Sequence, residues 1–401
     1  MKIPASKMNL ILRPSVEILH KIFTKHKYEI RVVGGAVRDL LMDKIPTDLD
    51  FATTATPNEM KNMFTTEEIR IKLTGALHGT VKAYIGEDIF ECTTLRIDKL
   101  TDGRHAVVEF IRDWELDAGR RDLTVNAMFL GIDGTVYDYF NGIQHVKEKK
   151  VNFIGNPEQR IQEDYLRILR YFRFFGRVAA DPHQYDPEII TAIEKNCEGL
   201  SKIAGERIWV EFSKILSGRF NHEILLKIIE CGVGIHIGLT KEFDCDNLKK
   251  VYKNIKDTDY HHCTLLAAGM SCEEDAYALI NRVKCSNKEK EILLFIIKHR
   301  KSFNNIQSLK DVQDILVNLV YIDKKKRELV LEFSKQALLY VGRSDLLNEV
   351  NGHLIPNFPI KGGLLAGKIP KNQIQKELKR LFEIWKESEY KLTADELLIK
   401  V

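Results

Sequence analysis

The chain has 401 residues, of which 44% are hydrophobic and 29% are charged, a composition that excludes a disordered or collagen-like protein. Its seven cysteines form no CxxC pair, which argues against a disulfide framework and a cysteine zinc site, and no apolar run reaches the ~18 residues of a membrane span. The net charge of +4 lies wholly beyond residue 150, because residues 1–150 hold equal numbers of acidic and basic side chains. A polyanionic partner on the C-terminal part and a solvated lysine-rich surface both fit this distribution.

The first 150 residues alternate β-rich runs with amphipathic segments. Apolar spacing predicts helices over 14–26, 35–42 and 57–64, the last opened by Thr56 and Pro57. Short runs bounded by turn residues predict strands over 28–33, 48–52, 80–85, 89–95, 106–111 and 125–132. This part of the chain is therefore predicted to be a mixed α/β domain built around a sheet.

Beyond about residue 156 the pattern is helical throughout. Asn156 and Pro157 are typical of a helix start, and apolar residues keep helical spacing from there to Gly176. Further helices are predicted near 187–197, 205–217, 221–231, 247–255, 261–270, 286–300, 309–319, 323–340 and 371–387. The sequence thus predicts an α+β chain in which a head with a mixed sheet is followed by an all-helical remainder.

Two glycines, an arginine and two aspartates form the first group of candidate functional residues. Gly34 and Gly35 end a predicted strand and open a helix, so backbone N–H groups there can approach a phosphate, and Arg38 lies one helical turn further on. Asp48 and Asp50 are two residues apart on a predicted strand and project from one face. Hard oxygen ligands beside a phosphate cradle are what one Mg²⁺ or a pair of them needs for nucleotidyl transfer. For each half alone, a turn or a solvated loop is the alternative.

A third carboxylate is expected on a neighbouring strand to complete such a catalytic metal site. Glu91, within the run 90–96, is the candidate that the predicted topology favours. The alternative is an ordinary surface-facing glutamate on its strand.

Adjacent arginines at positions 120 and 121 form the second group. Guanidinium groups match phosphate oxygens, so Arg120 and Arg121, entering a predicted strand, are expected to contact a triphosphate or a ribose. Asp122 is expected to hold one of the two arginines in place. A surface charge cluster is the alternative.

The third group lies on the helix predicted from residue 157 to Gly176. Asp164 and Arg167 are three residues apart and are expected to be neighbours on its surface, with Arg170 and Arg173 continuing the ridge. A carboxylate accepts from an exocyclic amine and a guanidinium donates to a ring nitrogen. This pair would therefore accept cytosine and adenine and reject uracil and guanine, because mismatched buried polar groups are costly. An exposed salt bridge is the alternative.

Taken together and in order, these motifs carry a family resemblance. The set GGAVRD, DLD, RRDLTVN, EDYLRILRYFRF and GERIWVE (205–211) resembles the class II tRNA nucleotidyltransferases, the CCA-adding enzymes of the DNA polymerase β-like nucleotidyltransferase superfamily. The sequences FATTATP (51–57) and TTLRID (93–98) are more similar to the animal, mitochondrial-type members than to the bacterial ones. The fold that the resemblance implies is a polymerase β-like head with a mixed sheet, followed by a helical neck, body and tail.

The resemblance implies template-independent addition of C, C and A to the 3′ end of tRNA from CTP and ATP, with release of pyrophosphate. It assigns Asp48 and Asp50 to a site for two Mg²⁺ ions. It assigns to the nucleotide the residues Gly35, Arg38, Arg121, Asp164, Arg167, Arg170 and Arg173. The segment 96–112, with 102–104 at its tip, corresponds to the loop implicated in the family's switch from CTP to ATP.

The same resemblance implies the domain organisation and the partners. It predicts a head over 1–150, a base-recognising neck over 151–215, a body over 216–300 and a tRNA-binding tail over 301–401. The expected partner is tRNA, through its 3′ end and its acceptor and T-arm side; no membrane association is expected, and the chain is expected to be a monomer or a weak homodimer. An intracellular location is expected, mitochondrial or cytoplasmic, with a nuclear pool also compatible.

Three alternatives remain open at this point. A poly(A) polymerase shares the head and neck motifs, although no strongly basic C-terminal extension is visible. A specialised enzyme could add only CC or only A. A catalytically inactive RNA-binding scaffold would use the same fold, although the presence of Asp48, Asp50, Asp164 and Arg167 argues against it.

Overall fold

The structure, a computed structural model, describes the backbone of residues 1–101 and 106–401 and the side chains of residues 1–98 and 108–401. The chain divides into two compact units. Unit 1 comprises Met1–Lys241 and Ala278–Cys285, and unit 2 comprises Glu242–Tyr277 and Ser286–Val401. The candidate site lies within unit 1.

A seven-stranded mixed sheet forms the centre of the N-terminal part. The strands of the described residues are β1 Ile30–Val33, β2 Asp50–Thr53, β3 Arg70–Gly75, β4 Thr80–Ile85, β5 Asp88–Thr94, β6 Arg96–Thr101, β7 Ala106–Phe110, β8 Phe129–Leu130 and β9 Val136–Tyr137. The sheet order is β3-β4-β5-β2-β1-β8-β9, and β6 and β7 form a separate two-stranded ribbon. Only the β2–β5 pairing is parallel within the large sheet.

Helices account for most of the remainder. Those up to residue 241 are α1 Ala5–Met8, α2 Pro14–Lys25, α3 Gly35–Leu41, α4 Pro57–Thr66, α5 Trp114–Gly119, α6 Gly142–Glu148, α7 Pro157–Glu163, α8 Arg167–Val178, α9 Pro187–Asn196, α10 Gly205–Leu216, α11 Asn221–Glu230 and α12 Val233–His236. Those that follow are α13 Cys245–Ile255, α14 His262–Ala268, α15 Glu273–Val283, α16 Asn287–Asn304, α17 Leu309–Tyr321, α18 Arg327–Tyr340, α19 Gly362–Leu365, α20 Ile374–Glu387 and α21 Ala394–Leu398. None of the described helices combines the length and the hydropathy needed to cross a bilayer.

At β4 the sheet has one apolar face and one polar face. Along β4 the burial alternates, so that Val81 and Ala83 are buried while Lys82 and Tyr84 are partly exposed. Helices α2 and α4 contact β4, and α4 also contacts β3, which covers the apolar side. The α4 helix begins where the sequence predicted, at a capping box in which Thr56 and Glu59 satisfy each other's backbone N–H groups.

Unit 2 is wholly helical apart from its turns. Its C-terminal part contains an aromatic cluster of Tyr321, Phe358, Phe382, Trp385 and Tyr390. The ring centroids of contacting pairs lie 4.9–6.3 Å apart, and Trp385 is almost fully buried. This packing fixes α20 against α17 and the irregular segment that contains Phe358.

The predicted α+β class is confirmed, but several local predictions were wrong or incomplete. The run 125–132 was predicted as a strand; residues Thr124–Asn126 instead form a 3₁₀ turn, and only Phe129–Leu130 pair in the sheet. Strands β3, β6 and β9 had not been predicted, and neither had several helices, among them α5, α6 and α15. The single helix expected from 157 to Gly176 is broken at Asp164, whose backbone is extended.

The helix break has a local cause. The Asp164 carboxylate accepts a hydrogen bond from the backbone N–H of Leu166 at 3.1 Å, just ahead of the first turn of α8. Short acidic side chains compete in this way with the helical hydrogen bonds of their own backbone. Asp164 is therefore the junction between α7 and α8 and not a residue on a continuous helical ridge.

Candidate nucleotide-binding and catalytic site

Ligand pockets usually have volumes of about 300–1,000 Å³. Unit 1 contains a cavity of ≈ 590 Å³ between the sheet and the helices that follow it. Its charged lining residues are Arg38, Arg96, Arg120, Arg121, Arg167, Arg170, Arg177 and Arg207, with Asp50, Asp98, Asp122 and Asp164. Eight arginines against four aspartates leave a surplus of positive charge. The cavity is thus suited to a strongly anionic ligand such as a triphosphate.

The glycine turn lies at the end of β1, on the wall of this cavity. Gly34 has a φ of 72°, and its N–H donates to the carbonyl of Met128 at 3.1 Å. A β-carbon at Gly34 would lie 3.6 Å from the carbonyl oxygen of Asn126. Glycine is favoured here because only it adopts this backbone conformation without strain. Gly34 and Gly35 both line the cavity, as the phosphate-cradle hypothesis requires.

Arg38 is almost fully buried beneath that turn. Its Nη1 donates to Asn126 Oδ1 at 2.5 Å, and its Nε and Nη2 donate to Asp39 Oδ1 at 3.0 and 2.8 Å. Burial lowers the pKa of Arg38, and the adjacent Asp39 opposes that effect. The guanidinium is therefore held in place by protein partners, and it contributes fixed positive charge to the wall of the cavity.

Of the three candidate carboxylates, one lines the cavity, one lies on the neighbouring strand and one precedes the first strand. Asp50 begins β2 and lines the cavity, and its register partner on β5 is Glu91. The pKa of Asp50 is raised, first by the protein atoms that crowd it and then by the negative charges of Glu91 and Asp48. Asp48 is exposed and lies ahead of β2, so the prediction that both aspartates stand on one strand was wrong. Glu91 also accepts from Lys82 Nζ at 2.5 Å.

This donor set fits a hard divalent cation. All three groups are carboxylates, and the repulsion that raises the pKa of Asp50 is what a bound cation would relieve. The carboxylates are not drawn together into a ready-made cluster. Within the described residues, the one group of three whose ligand atoms lie within 4.8 Å of one another is His261, His262 and Cys263, in unit 2.

The two arginines of the second group are held by Asp117. The sequence analysis had not identified this aspartate. Arg120 Nε and Arg121 Nη2 each donate to its carboxylate at 2.8 Å, and the backbone N–H of Arg96 does so at 3.1 Å. Burial alone would raise the pKa of Asp117, but Arg121 and Arg120 outweigh it and lower that pKa. The i,i+4 spacing between Asp117, on α5, and Arg121, just past the end of that helix, was a signal that could have found it.

The role expected of Asp122 was wrong. The Asp122 carboxylate accepts a hydrogen bond from Nε of Arg170, on α8, at 2.5 Å, and it does not pair with Arg120 or Arg121. The two arginines also do not enter a strand, because Arg120 caps α5 and a 3₁₀ turn follows. Asp122 is buried, and Arg170 outweighs the effect of that burial, so the pKa of Asp122 is lowered.

Asp164 and Arg167 both line the cavity, but they are not paired on one helix face as expected. Asp164 Oδ2 accepts from Arg207 Nη2 at 2.8 Å. Arg167 Nη1 donates to Glu163 Oε2 at 2.5 Å and to the carbonyl of Arg160 at 2.9 Å. Arg207 belongs to the GERIWVE motif, for which the sequence predicted no specific role. The structure places its side chain on the wall of the cavity.

Arg170 and Arg173 extend along α8 toward α10. Arg170 Nη1 lies 3.8 Å from Glu211 Oε1, and Arg173 Nε lies 3.1 Å from Glu211 Oε2. Both guanidinium groups lie near the ring of Phe174. Arg170 lines the cavity; Arg173 lies beside it, held by Glu211, which is buried. Sequence reasoning had missed Glu211 as the counter-charge of this pair.

The segment 96–112, predicted to be the family's switching loop, lies only partly within the described residues. Arg96 and Asp98, at its start, line the cavity, and Arg112, at its end, contacts Glu59 on α4 at 3.2 Å. Its predicted tip, 102–104, lies outside the described residues.

Two protein-family models match the chain. The model described as "Poly A polymerase head domain" matches residues 30–152, and the one described as "Probable RNA and SrmB- binding site of polymerase A" matches residues 184–237. The first match covers the sheet, the carboxylates and the paired arginines. Fold and site thus define a nucleotidyltransferase with a polymerase-type head.

Full-length relatives narrow this class. "CCA tRNA nucleotidyltransferase 1, mitochondrial" of Danio rerio is 45% identical over 95% of this chain and 88% of its own length. The Homo sapiens protein of the same name is 44% identical over 99% of this chain and 92% of its own. A "CCA-adding enzyme" of Streptococcus pyogenes is 32% identical over 86% of this chain and 88% of its own. The chain belongs to the CCA tRNA nucleotidyltransferase family.

Solved structures share the fold. The Bacillus stearothermophilus CCA-adding enzyme in complex with CTP superposes with a TM-score of 0.73 at 22% identity, covering 94% of each chain. The Thermotoga maritima CCA-adding enzyme complexed with tRNA gives a TM-score of 0.69 at 16% identity, covering 100% of this chain and 98% of that one. The polymerase-type head followed by helices is therefore the architecture of this family.

Proposed function

We propose that this chain adds C, C and A to the 3′ end of tRNA, taking CTP and ATP as substrates and releasing pyrophosphate. The observation that carries the proposal is the position of Asp50 and Glu91, paired in register at the edge of an arginine-lined cavity. This arrangement places acidic groups suited to a cation next to basic groups suited to a triphosphate. The family relatives, named for CCA addition, favour this activity over poly(A) synthesis.

The triphosphate would bind along the glycine turn and the paired arginines. Gly35 leaves room for the ligand at the end of β1, and Arg38 supplies fixed positive charge beneath it. Arg121 is held by Asp117 from behind, so its remaining donors are oriented before the ligand arrives. Preorganisation of this kind lowers the entropic cost of binding. We therefore assign the phosphates to Gly35, Arg38 and Arg121.

The base would be selected by Asp164 and Arg167. Asp164 is oriented by Arg207 and by the N–H of Leu166, which fixes its carboxylate as an acceptor on the cavity wall. Arg167, held by Glu163, offers donors to the same cavity. An acceptor beside a donor matches the amine and ring nitrogen of cytosine and adenine and mismatches uracil and guanine. Arg170 and Arg173 would complete the pocket with positive charge.

The metal site would be formed by Asp48 and Asp50, with Glu91 as the third catalytic carboxylate. Enzymes of this nucleotidyltransferase family are generally metal-dependent, and we propose Mg²⁺ because all the donors are carboxylate oxygens. A bound Mg²⁺ pair would activate the attacking hydroxyl and neutralise the departing charge. The arginines of the cavity would hold the triphosphate so that its α-phosphate faces these carboxylates.

We further propose that tRNA lies along the helical part, within the predicted neck (151–215), body (216–300) and tail (301–401). The excess of basic residues beyond position 150 supports this, because phosphate contacts dominate the affinity of nucleic-acid-binding proteins. The names of the relatives support a mitochondrial location. A monomer or weak homodimer stays a prediction.

The decisive experiment is incorporation on a tRNA transcript that lacks its 3′ CCA, in the presence of Mg²⁺. Each nucleoside triphosphate is supplied singly, and CTP and ATP are then supplied together. Two additions with CTP alone, followed by one A and a stop with both, would support complete CCA addition. A long A ladder would identify a poly(A) polymerase, and C alone or A alone a specialised enzyme. Binding of tRNA without any incorporation would favour the inactive scaffold.

A further inference from the structure

Four charged side chains lie in one row across the open face of the head sheet. The strand register pairs Lys72 of β3 with Lys82 of β4, Lys82 with Glu91 of β5, and Glu91 with Asp50 of β2. Directly paired residues of neighbouring strands project to the same side of a sheet. We call Lys72, Lys82, Glu91 and Asp50 the charged row. It leads from the edge strand of the sheet to the candidate catalytic carboxylates.

This face of the sheet is accessible at the two lysines. Lys72 is exposed, and Lys82 retains 39% of its side-chain exposure even while its Nζ contacts Glu91. The two neighbours of Lys82 in sequence, Val81 and Ala83, are buried on the opposite face beneath α2 and α4. The lysines of the charged row are thus available to a ligand that lies across the strands.

The nucleotide cavity lies on the other side of Asp50. Its wall is formed by Val33, Gly34 and Gly35 at the end of β1, whereas the charged row extends from β2 through β5 and β4 to β3. Phosphoryl-type transfer requires the attacking and leaving oxygens to lie roughly in line on opposite sides of the phosphorus. If the triphosphate occupies the cavity, the attacking strand must approach Asp50 from the side of Glu91 and Lys82.

The spacing and chemistry of this face suit a single nucleic-acid strand. Neighbouring strands of a sheet are about 4.8 Å apart, so Lys82 and Lys72 lie about 10 and 14 Å from Asp50, a span that a few nucleotides of a single strand cover. Tyr84, two residues along β4 on the same face, has Arg70 4.2 Å above its ring. Cations interspersed with an aromatic side chain are typical of surfaces that bind single strands.

We propose that Lys72 and Lys82 bind phosphates of the single-stranded 3′ end of tRNA and position its terminal hydroxyl at Asp50 and Glu91. The inference rests on the proposed function for the identity of the strand. It adds a primer-binding surface on the head, distinct from the helical part to which tRNA binding was assigned above. Lys82 exchanges its contact with Glu91 for a phosphate when the primer strand arrives.

The test is tRNA binding by the full chain, measured without nucleotide so that it does not depend on catalysis. Lys72→Glu is the principal variant, because Lys72 does not contact the carboxylates. We expect its dissociation constant for tRNA lacking CCA to rise about tenfold, and the slope of log K against log salt to fall by about 0.7 for one lost phosphate contact. Lys72→Arg should retain the binding of the unmodified protein, and Lys61→Glu, an exposed charge reversal on α4, should leave it unchanged.

A coupling measurement identifies the contacted group. tRNA with uncharged methylphosphonate linkages at its last five positions, which span the distance from Asp50 to Lys72, should bind the unmodified protein more weakly, and Lys72→Thr should show little further loss on that RNA, because both changes remove the same contact. Additive losses, or a dissociation constant for Lys72→Glu within twofold of the unmodified protein, would overturn the inference. Absence of incorporation by the unmodified protein would instead contradict the proposed function alone. CTP binding should be unaffected by any of the three Lys72 variants.

Discussion

Asp164 accepts a hydrogen bond from Arg207 at 2.8 Å, joining two residues that are 43 positions apart in the chain. Asp164 sits at the break between α7 and α8, and Arg207 lies in the first turn of α10. The orientation of the proposed base-reading carboxylate is thus set by a neighbouring helix. The sequence had suggested Arg167 as its partner, three residues away.

Replacement of Arg207 should therefore alter nucleotide choice. In Arg207→Met the Asp164 carboxylate loses its charged partner, and we expect discrimination against UTP and GTP to fall about tenfold, the equivalent of one charge-assisted hydrogen bond. The measurement is kcat/KM for each nucleotide on tRNA lacking CCA. Lys214→Met, an exposed lysine on the same helix, is the matched control. Unchanged ratios in an active Arg207→Met enzyme would show that Arg207 does not orient the base-reading group.

Asp164→Ala should relax selectivity more strongly than it weakens tRNA binding. Removal of the acceptor eliminates the group that distinguishes an exocyclic amine from a carbonyl oxygen. Relative incorporation of all four nucleotides, measured beside the dissociation constant for tRNA, separates the two effects. Intact selectivity in an active variant would contradict the assignment of Asp164 to base recognition.

Asp48→Ala and Asp50→Ala should abolish incorporation while tRNA affinity stays within a few-fold. The carboxylates are proposed to hold the metal, and their removal takes away its ligands without touching the helical surface. Incorporation assays and filter binding provide the two measurements. Glu87→Ala, in an exposed turn of the same sheet, serves as the control for loss of an acidic residue. Turnover retained by Asp50→Ala would refute the proposed metal site.

Asp117→Asn should affect both stability and triphosphate binding. The substitution leaves Arg120 and Arg121 without their counter-charge in a buried position, and we expect the free energy of unfolding to fall by about 3 kcal/mol. The dissociation constant for CTP should rise because Arg121 loses its orientation. Thermal unfolding and equilibrium CTP binding measure the two effects. Glu115→Gln, exposed on the same helix, should change neither.

The stability of unit 2 should depend on pH through His262. The pKa of His262 is lowered to about 4, mainly by burial and to a smaller extent by His261, while Glu289 opposes both. The unfolded chain, with a histidine pKa of about 6.5, therefore binds more protons than the folded one between pH ~6.5 and ~4. The free energy of unfolding should fall by up to about 3 kcal/mol as the pH drops through this window.

Thermal unfolding across this window, for the unmodified chain and for His262→Gln, tests the assignment. The variant should show the smaller pH dependence, because glutamine does not titrate. At pH values above ~6.5 the histidine is neutral in both states and contributes no slope. Equal slopes for the two proteins would assign the pH dependence to other groups.

Local sequence signals predicted most of the elements that frame the site. Thr56 and Pro57 predicted the start of α4. The β-rich run 80–85 predicted β4 with the same bounds as in the structure. Apolar spacing failed at 125–132, where Val125 is buried by packing of a 3₁₀ turn and not by a strand. A short apolar run is buried in either case, so its period does not distinguish the two.

The sequence alone determined which chemical groups this chain brings to its reaction: the glycine turn, the paired carboxylates, the arginines and the family to which their order points. Tertiary structure decided how those groups are held. Asp117 rather than Asp122 restrains Arg120 and Arg121, Arg207 rather than Arg167 orients Asp164, and Glu211 balances the charges of α8. The order of the motifs can be read from the sequence. Charge partners depend on which side chains are close in the folded protein, because a buried arginine without a nearby carboxylate is strongly destabilising.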